Sequence, residues 1–333
     1  MYDLLIIGQG IAGTLAGIEA IKKKLKILII DDNQENASQV AAGLVEPISG
    51  QRFTLSINQE TSLPFAKSYY ELLEKQLKTN IIISRKTERY FTNQDQEKIV
   101  NKRLKDPGFA PYFGKKTPPP NHTNFKWGGI IINHSFSINT TKLLSTAKAY
   151  FKKENILFTE TYDPTKLKIQ KNNLKYKNIL TKTILFCQGA QLEQNPLFTN
   201  LPFRSSKGDV LTLKLPHFKT NTNLSFEKWL IPIENNQFKY GATYEWPPYT
   251  NQPLESSKQT LLNHLKTFIN SPVTVTNHQS GIRCALKTNH PICEAHPIYA
   301  NIHVLGALGS KGFMHAPYLA NQIIQKIHNL CYP

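Results

Sequence analysis

Residues 3–13 read Asp-Leu-Leu-Ile-Ile-Gly-Gln-Gly-Ile-Ala-Gly, and Gly17 follows four residues later. The run up to Ile7 is apolar, rich in branched side chains and closed by glycine, as a strand buried on both faces is. Leu15, Ile18 and Ile21 then recur at helical spacing to about Lys24. The basic run Lys22, Lys23, Lys24 and Lys26 suits the negative end of a helix dipole. Ile27-Leu28-Ile29-Ile30 makes a second buried strand that ends in Asp31-Asp32. Each part of this strand, turn, helix, strand and acid has a task. Gly8 permits a tight turn, Gly10 lets the backbone approach a pyrophosphate, and Gly13 with Gly17 lets the helix pack close to the sheet. The helix start at Ile11 and Ala12 offers unpaired N–H groups and a partial positive charge. Asp31, with Asp32 beside it, stands where an acid would hold ribose hydroxyls and repel a 2′-phosphate.

The rest of the chain does not continue with regular strand–helix units, as an NAD enzyme would. Ser38-Gln39-Val40-Ala41-Ala42-Gly43 offers small residues along which backbone can run close to something flat. Thr183-Ile184-Leu185-Phe186-Cys187-Gln188-Gly189-Ala190 reads as a buried strand ending in a glycine turn. Ile302-His303-Val304-Leu305 reads as another strand. It leads into Gly306-Ala307-Leu308-Gly309-Ser310-Lys311-Gly312 and a helix from about Ala316 to His328. One dinucleotide site is therefore expected to draw on the beginning, middle and end of the chain.

These blocks, with Gly281-Ile282-Arg283, resemble the D-amino acid oxidase superfamily of FAD-dependent oxidoreductases from end to end. The likeness is greatest to its glycine oxidase and sarcosine oxidase-like branch, close to the oxidase domain of the bifunctional tRNA wobble-uridine modification enzyme. The first block is shared by many flavin and NAD proteins; the Gly-x-Arg followed by the late glycine turn and Ala316-Pro317 is far more specific. The resemblance implies that Gly8, Gly10 and Gly13 hold the pyrophosphate of non-covalent FAD and Asp31 its ribose. It implies that Ser38, Gln39, Ala41, Ala42 and Gly43 border the flavin ring, and that Gln188 and Gly189 lie near the adenine half. Backbone N–H groups of Leu308, Gly309, Ser310, Lys311 and Gly312 would face the flavin edge that becomes negative on reduction, with Lys311 adding a full charge. Relatives with His after the first glycine of this turn differ from this chain, which has Ala307, and relatives with Pro after the arginine differ from its Cys284.

The implied fold is α/β: a Rossmann-like FAD-binding domain from discontinuous segments (1–55, 131–202 and 276–333) with a smaller mixed or antiparallel β-sheet substrate domain (56–130 and 203–275). A helical pattern at Tyr69, Leu72, Leu73 and Leu77, alternating segments such as Val210–Leu213 and Trp229–Ile233, and a helix near Ser257–Ile269 fill the second domain. The resemblance makes Arg283 a carboxylate clamp, because a guanidinium fork matches a carboxylate bidentately. Tyr244 and Tyr240 stand as further polar contacts or as core tyrosines. His278, His290 and His296 lack metal-ligand spacing, and no metal is expected.

Lys and Arg number 40 against 23 Asp and Glu, a net charge of +17. Such a charge attracts anions, although a chain rich in both Lys and Asn also fits a compositional bias. The four cysteines, Cys187, Cys284, Cys293 and Cys331, form no CxxC pair and read as reduced thiols. No run of 18 apolar residues suggests a membrane span, no basic leader precedes Asp3, and a cytoplasmic protein is expected. The leading expectation is oxidation of the C–N bond of a small amino acid or secondary amine bearing a carboxylate, with O2 or another acceptor reoxidising the flavin. The imine would hydrolyse, and O2 would give H2O2. The second expectation, held behind it, is the same chemistry on a carboxymethylaminomethyl group in tRNA, with Lys142, Lys148, Lys152, Lys153, Lys166, Lys168, Lys171, Lys175, Lys177 and Lys182 crowding one segment. A third expectation is a flavoprotein that uses another acceptor or no longer turns over.

Overall fold

The computed structural model describes residues 1–332 and contains two eight-stranded sheets with helices against the first. In the first sheet the strands Leu157–Thr159, Ile27–Asp31, Tyr2–Ile7 and Ile179–Phe186 run parallel in that order. The second half of Ile179–Phe186 also pairs in parallel with Ile302–Gly306, while its first half pairs antiparallel with Leu174–Tyr176. So the beginning, middle and end of the chain lie side by side. Leu4, Leu5 and Ile6 are fully buried, as the unbroken apolar run demands.

The helix Ile11–Lys22 packs against the first sheet and the helix Gly312–Cys331, which in turn packs on Gln59–Leu77. The C-terminal helix starts earlier than the sequence pattern implies and contains Pro317. A proline there cannot donate to the carbonyl of Phe313 four residues back. The Tyr70 hydroxyl takes its place, donating to Phe313 O at 2.9 Å.

The second sheet runs Thr274–Arg283, Ser206–Lys214, Gln237–Gly241, Lys228–Pro232, Asn223–Phe226, Thr87–Tyr90, Gly129–Ile132, Phe113–Thr117. It is antiparallel except for Asn223–Phe226 beside Thr87–Tyr90. It is therefore mixed, as expected, and has as many strands as the first. Two of the expected boundaries fall inside its strands, at Gly129–Ile132 and Thr274–Arg283. Sheet membership carries the last crossing to just beyond Arg283, because nine register pairs join Thr274–Arg283 to Ser206–Lys214. Its own core is aromatic, with Tyr90, Phe125, Phe226, Phe238 and Tyr240 buried under the helix Glu255–Phe268.

Candidate functional site

A single cavity of about 830 Å³ lies between the two sheets and reaches from the glycine turn to Arg283. At one end its wall is backbone. Gly8 has φ +97°, and Gly13 sits so close to the turn that a Cβ on it would lie 1.8 Å from Gly8 O. That contact presses the helix onto the strand and leaves Gly8, Gly10, Ile11 and Ala12 lining the cavity, while Gly13 itself is behind them. Gly10 caps the helix without a side-chain bond of its own, Ile11 N donates to Ser38 Oγ, and the positive end of the dipole lies at the cavity wall formed by Gly10, Ile11 and Ala12. Asp31 Oδ2 accepts from Gln9 N at 2.7 Å and Oδ1 from Asn33 N at 2.9 Å, which fixes the carboxylate beside the turn. Asp32 is held further out, by Gln34 N and Gln191 Nε2. Gln188 and Gly189 complete this end.

The short helix Ala37–Val40 forms the next wall. Asn36 and Gln39 make a capping box: Asn36 Oδ1 accepts from Ser38 N and Gln39 N, and Gln39 Oε1 from Asn36 N. Gln39 is thereby turned away and does not line the cavity, unlike Ala41, Ala42 and Gly43. Ser38 does line it, but its hydroxyl is engaged, accepting from Ile11 N at 3.0 Å. At the other end of this helix the Lys239 ammonium donates to the carbonyls of Gln39, Val40 and Ala41 at 3.0–3.3 Å. Burial lowers it to about 8, with Glu35 opposing. No local pattern marks Lys239, because the contact joins residues about 200 positions apart.

Leu308, Gly309, Ser310, Lys311 and Gly312 line the cavity where the C-terminal helix begins, and that helix too has no side-chain cap. Two helix N-termini thus open onto one space. The Lys311 side chain is engaged by its neighbours. Its ammonium is buried against Glu46, 3.4 Å from Oε1, and donates to the carbonyls of Glu46 and Ile48. Burial lowers it from its ordinary value while Glu46 opposes. Buried Arg89 shares Glu46 and repels Lys311, so the one acid offsets only one of the two cations beside the cavity. Arg89, also unmarked by any motif, lies against the Phe53 ring at 4.6 Å and donates to Gly50 O at 2.9 Å.

At the far end Arg283 enters the cavity from the last residue of Thr274–Arg283. Its guanidinium lies over Gly208, where a Cβ would come within 2.0 Å of Nη2. Only glycine leaves that space. Both terminal nitrogens donate to Thr243 O at 3.3 Å, and the Tyr244 ring stands beneath at 4.4 Å. Burial lowers the guanidinium from its ordinary value, with Tyr244 and Asp209 opposing; it remains a cation at any ordinary pH. Behind it Thr243 Oγ1 accepts from Asp209 N at 2.8 Å. Fully buried Lys207 pairs with Asp209 at 3.3 Å and Glu245 at 3.2 Å, and Asp209 also meets His278 Nε2 at 2.9 Å. Tyr244 therefore lies at the site, whereas Tyr240 is a core residue whose hydroxyl meets His264 Nδ1 at 2.5 Å.

Two cysteines, Cys187 and Cys284, line the cavity after all. Burial pushes both thiols up, Cys284 to about 11, so neither is a nucleophilic thiolate at neutral pH.

The geometry fits FAD: a glycine cradle and helix dipole for a pyrophosphate, a fixed acid for a ribose, and a second helix N-terminus beyond a wall of small residues. The chain matches the family model FAD dependent oxidoreductase over residues 3–326 and belongs to that family. The structure is similar to glycine oxidase from Geobacillus kaustophilus, with a TM-score of 0.85, 16% identity, and coverage of 99% of this chain and 95% of that one. It is also similar to iminodiacetate oxidase from Chelativorans sp. BNC1, with a TM-score of 0.80, 18% identity, and coverage of 96% and 94%. By sequence it is 22% identical to the tRNA 5-methylaminomethyl-2-thiouridine biosynthesis bifunctional protein MnmC of Legionella pneumophila (strain Corby) over 354 residues. That match covers 94% of this chain and 52% of the relative, so the chain spans about half its length. The protein is thus an FAD-dependent oxidoreductase of the D-amino acid oxidase type. No described helix is long and apolar enough to cross a membrane.

Proposed function

We propose that the protein oxidises the C–N bond of a small amino acid or secondary amine that bears a carboxylate. The observation that carries this reading is Arg283, a half-buried cation at the cavity end opposite the glycine turn, whose guanidinium meets no carboxylate among the described residues. FAD, held without a covalent link, supplies the acceptor for the two electrons and one proton that leave the C–N unit as a hydride. The chain's own residues do the positioning. Gly8, Gly10 and the helix start behind them hold the pyrophosphate, and Asp31 the ribose. Arg283 takes the substrate carboxylate as a two-point fork, and Tyr244 and Thr243 O fix the plane of that fork. With the carboxylate pinned, the substrate Cα has one orientation in the cavity. Water then adds to the released imine, giving carbonyl compound and amine. Return of the electrons to O2 gives H2O2.

The test is a screen for peroxide and for flavin bleaching without oxygen over glycine, sarcosine, proline, iminodiacetate and D-amino acids. We expect at least one carboxylated amine to be oxidised. In Arg283→Ala, loss of a buried charge-assisted clamp of about 2–5 kcal/mol lowers kcat/KM by roughly thirtyfold or more, with FAD still bound. Unchanged kinetics would show that another group anchors the substrate.

A second reading keeps the chemistry and moves it to a carboxymethylaminomethyl group on tRNA. The MnmC likeness and the net charge of +17 favour it. Retention of tRNA that weakens steeply with salt would support it; no retention at low salt would remove it.

A further inference from the structure

Beyond Arg283 the chain leaves the second sheet through Tyr244-Glu245-Trp246. Glu245 exchanges both backbone hydrogen bonds with Lys207, at 2.9 Å each, and its carboxylate meets the buried Lys207 ammonium at 3.2 Å. The Glu245 side chain is thus turned inward, and alternation along extended backbone puts Tyr244 and Trp246 together on the opposite face. Their Cα atoms stand about 6–7 Å apart. Both rings are exposed, Tyr244 at 59% and Trp246 at 49%. Each carries a guanidinium: Arg283 lies 4.4 Å from the centre of the Tyr244 ring, and Arg204 lies 4.7 Å from that of Trp246. Backbone pairing brings Arg204 there. Its N donates to Ala285 O at 2.7 Å, which continues the ladder that sets Ser206 opposite Arg283. Tyr244 lines the cavity, and Trp246 is the next residue on that face, beyond the lining. A strip of two rings and two arginines therefore runs from the carboxylate clamp out to the surface. Large rings left in water on one face forgo burial that a bound planar group restores. A ring backed by a guanidinium is also a surface on which planar π-systems stack.

We propose that Tyr244 and Trp246 form a stacking subsite where the cavity meets solvent, so that the preferred substrate is a secondary amine with its carboxylate on Arg283 and a planar aromatic ring on its other branch. This rests on the amine-oxidising reading above and narrows its substrate class. In a glycine unit the nitrogen is two bonds from the carboxylate carbon. A ring borne one methylene beyond that nitrogen stays within reach of Tyr244, because Arg283 itself lies against Tyr244. A substrate with only a methyl group there leaves both rings in water. A phenyl ring and a nucleobase present the same kind of face to the strip, and the probes below tell them apart.

Three probes separate the cases. Sarcosine has a methyl group on the amine. N-benzylglycine has a phenyl ring on a methylene there, and 5-(carboxymethylaminomethyl)uridine has a nucleobase there. Their binding to the FAD-loaded protein is measured by calorimetry, which needs no turnover, and their oxidation by initial rates. The expected result is a preference for at least one ring-bearing probe over sarcosine of about tenfold or more in Kd. The preference falls below about threefold in Trp246→Ala and is kept in Trp246→Phe, while the affinity for sarcosine is unchanged in both. A gain for N-benzylglycine alone assigns the subsite to uncharged phenyl rings; a gain for the nucleoside alone assigns it to nucleobases. Equal affinity for all three probes in the unaltered protein, or an undiminished preference in Trp246→Ala, overturns the proposal. If sarcosine is bound and oxidised without such a preference, only the subsite fails. If none of the three binds, the subsite fails together with the broader reading.

Discussion

At one end of the cavity the lining is backbone: a glycine turn, two helix N-termini and a strand-end acid, all within or beside the central parallel strands. At the other end it is side chain: Arg283 from the edge strand Thr274–Arg283 and Tyr244 from the segment that follows Gln237–Gly241. The first kind of site depends on how closely segments approach. The second depends on which charges are brought together and what supports them. The two ends should therefore fail differently when altered.

The largest effect is expected at the backbone end. A Cβ at Gly13 would lie 1.8 Å from Gly8 O, and no rotamer relieves a clash with main chain. Gly13→Val should push the helix Ile11–Lys22 off Tyr2–Ile7 and open the turn that receives the pyrophosphate. The expected outcome is little soluble protein, and what remains is colourless by visible absorbance. By contrast Arg283→Ala should stay yellow. A yellow, stable Gly13→Val protein would mean that the turn is not the phosphate cradle.

Legibility in the sequence follows the same division. Gly8–Gly17 and Asp31 are local, and each glycine has a local steric reason, so the order strand, turn, helix, strand, acid is readable from 29 consecutive residues, Asp3 to Asp31. The joining of the beginning, middle and end of the chain was also readable, through three apolar strands each closed by glycine. Arg283 was marked by its resemblance to a family motif, and the structure brings it to the cavity wall: Gly281 lets Ala37 approach, its missing Cβ falling 2.8 Å from Ala37 Cα, and Gly208 makes room for the guanidinium. What could not be read were partners distant in sequence. Lys239 under Ala37–Val40, Glu46 on Lys311 and Lys207 behind Thr243 have no motif, because a buried charge is identified only by what folds against it. Glu46 and Arg89 beside Lys311 were invisible for that reason: the charge that a lysine in this turn presents depends on which groups fold against it.

A middle-sized effect tests the charge network of the substrate end. Lys207 is fully buried between Asp209 and Glu245, and Asp209 supports the Thr243 segment on which Arg283 rests. Removing one partner of a buried ion pair leaves the other charged and unpaired, at a cost of about 3–5 kcal/mol. Lys207→Met should lower the urea midpoint accordingly and also weaken binding of carboxylate ligands. A loss below about 1 kcal/mol would show that water reaches Asp209 and that the network is not closed.

The smallest effect belongs to the dinucleotide half, where charge is used at the margin rather than inside. Asp3 is the second residue of the strand Tyr2–Ile7 and is the acceptor for Lys26 N at 2.9 Å, Tyr332 Oη at 2.9 Å and the Lys182 ammonium at 2.8 Å. Burial pulls its carboxyl upward, but these three donors outweigh burial and hold it below the usual carboxylate range. A carboxyl whose folded value is depressed contributes stability above its unfolded value, and that contribution is lost as pH falls through the folded one. Lys182 is partly in solvent, which weakens its share by screening. Asp3→Asn should therefore cost only about 1 kcal/mol. Its melting temperature should sit a few degrees below that of the unaltered protein from pH 5 to 8. The two curves should begin to converge only below roughly pH 4, the ordinary carboxylate range, and meet at a lower pH, where the depressed Asp3 carboxyl itself becomes neutral. Convergence at a higher pH would mean that the donors do not hold Asp3 down. A gap that persists in acid would mean that the amide is tolerated poorly for its shape, not its charge. Either result would remove the contrast between a dinucleotide half that places charge at its edge and a substrate half that buries it.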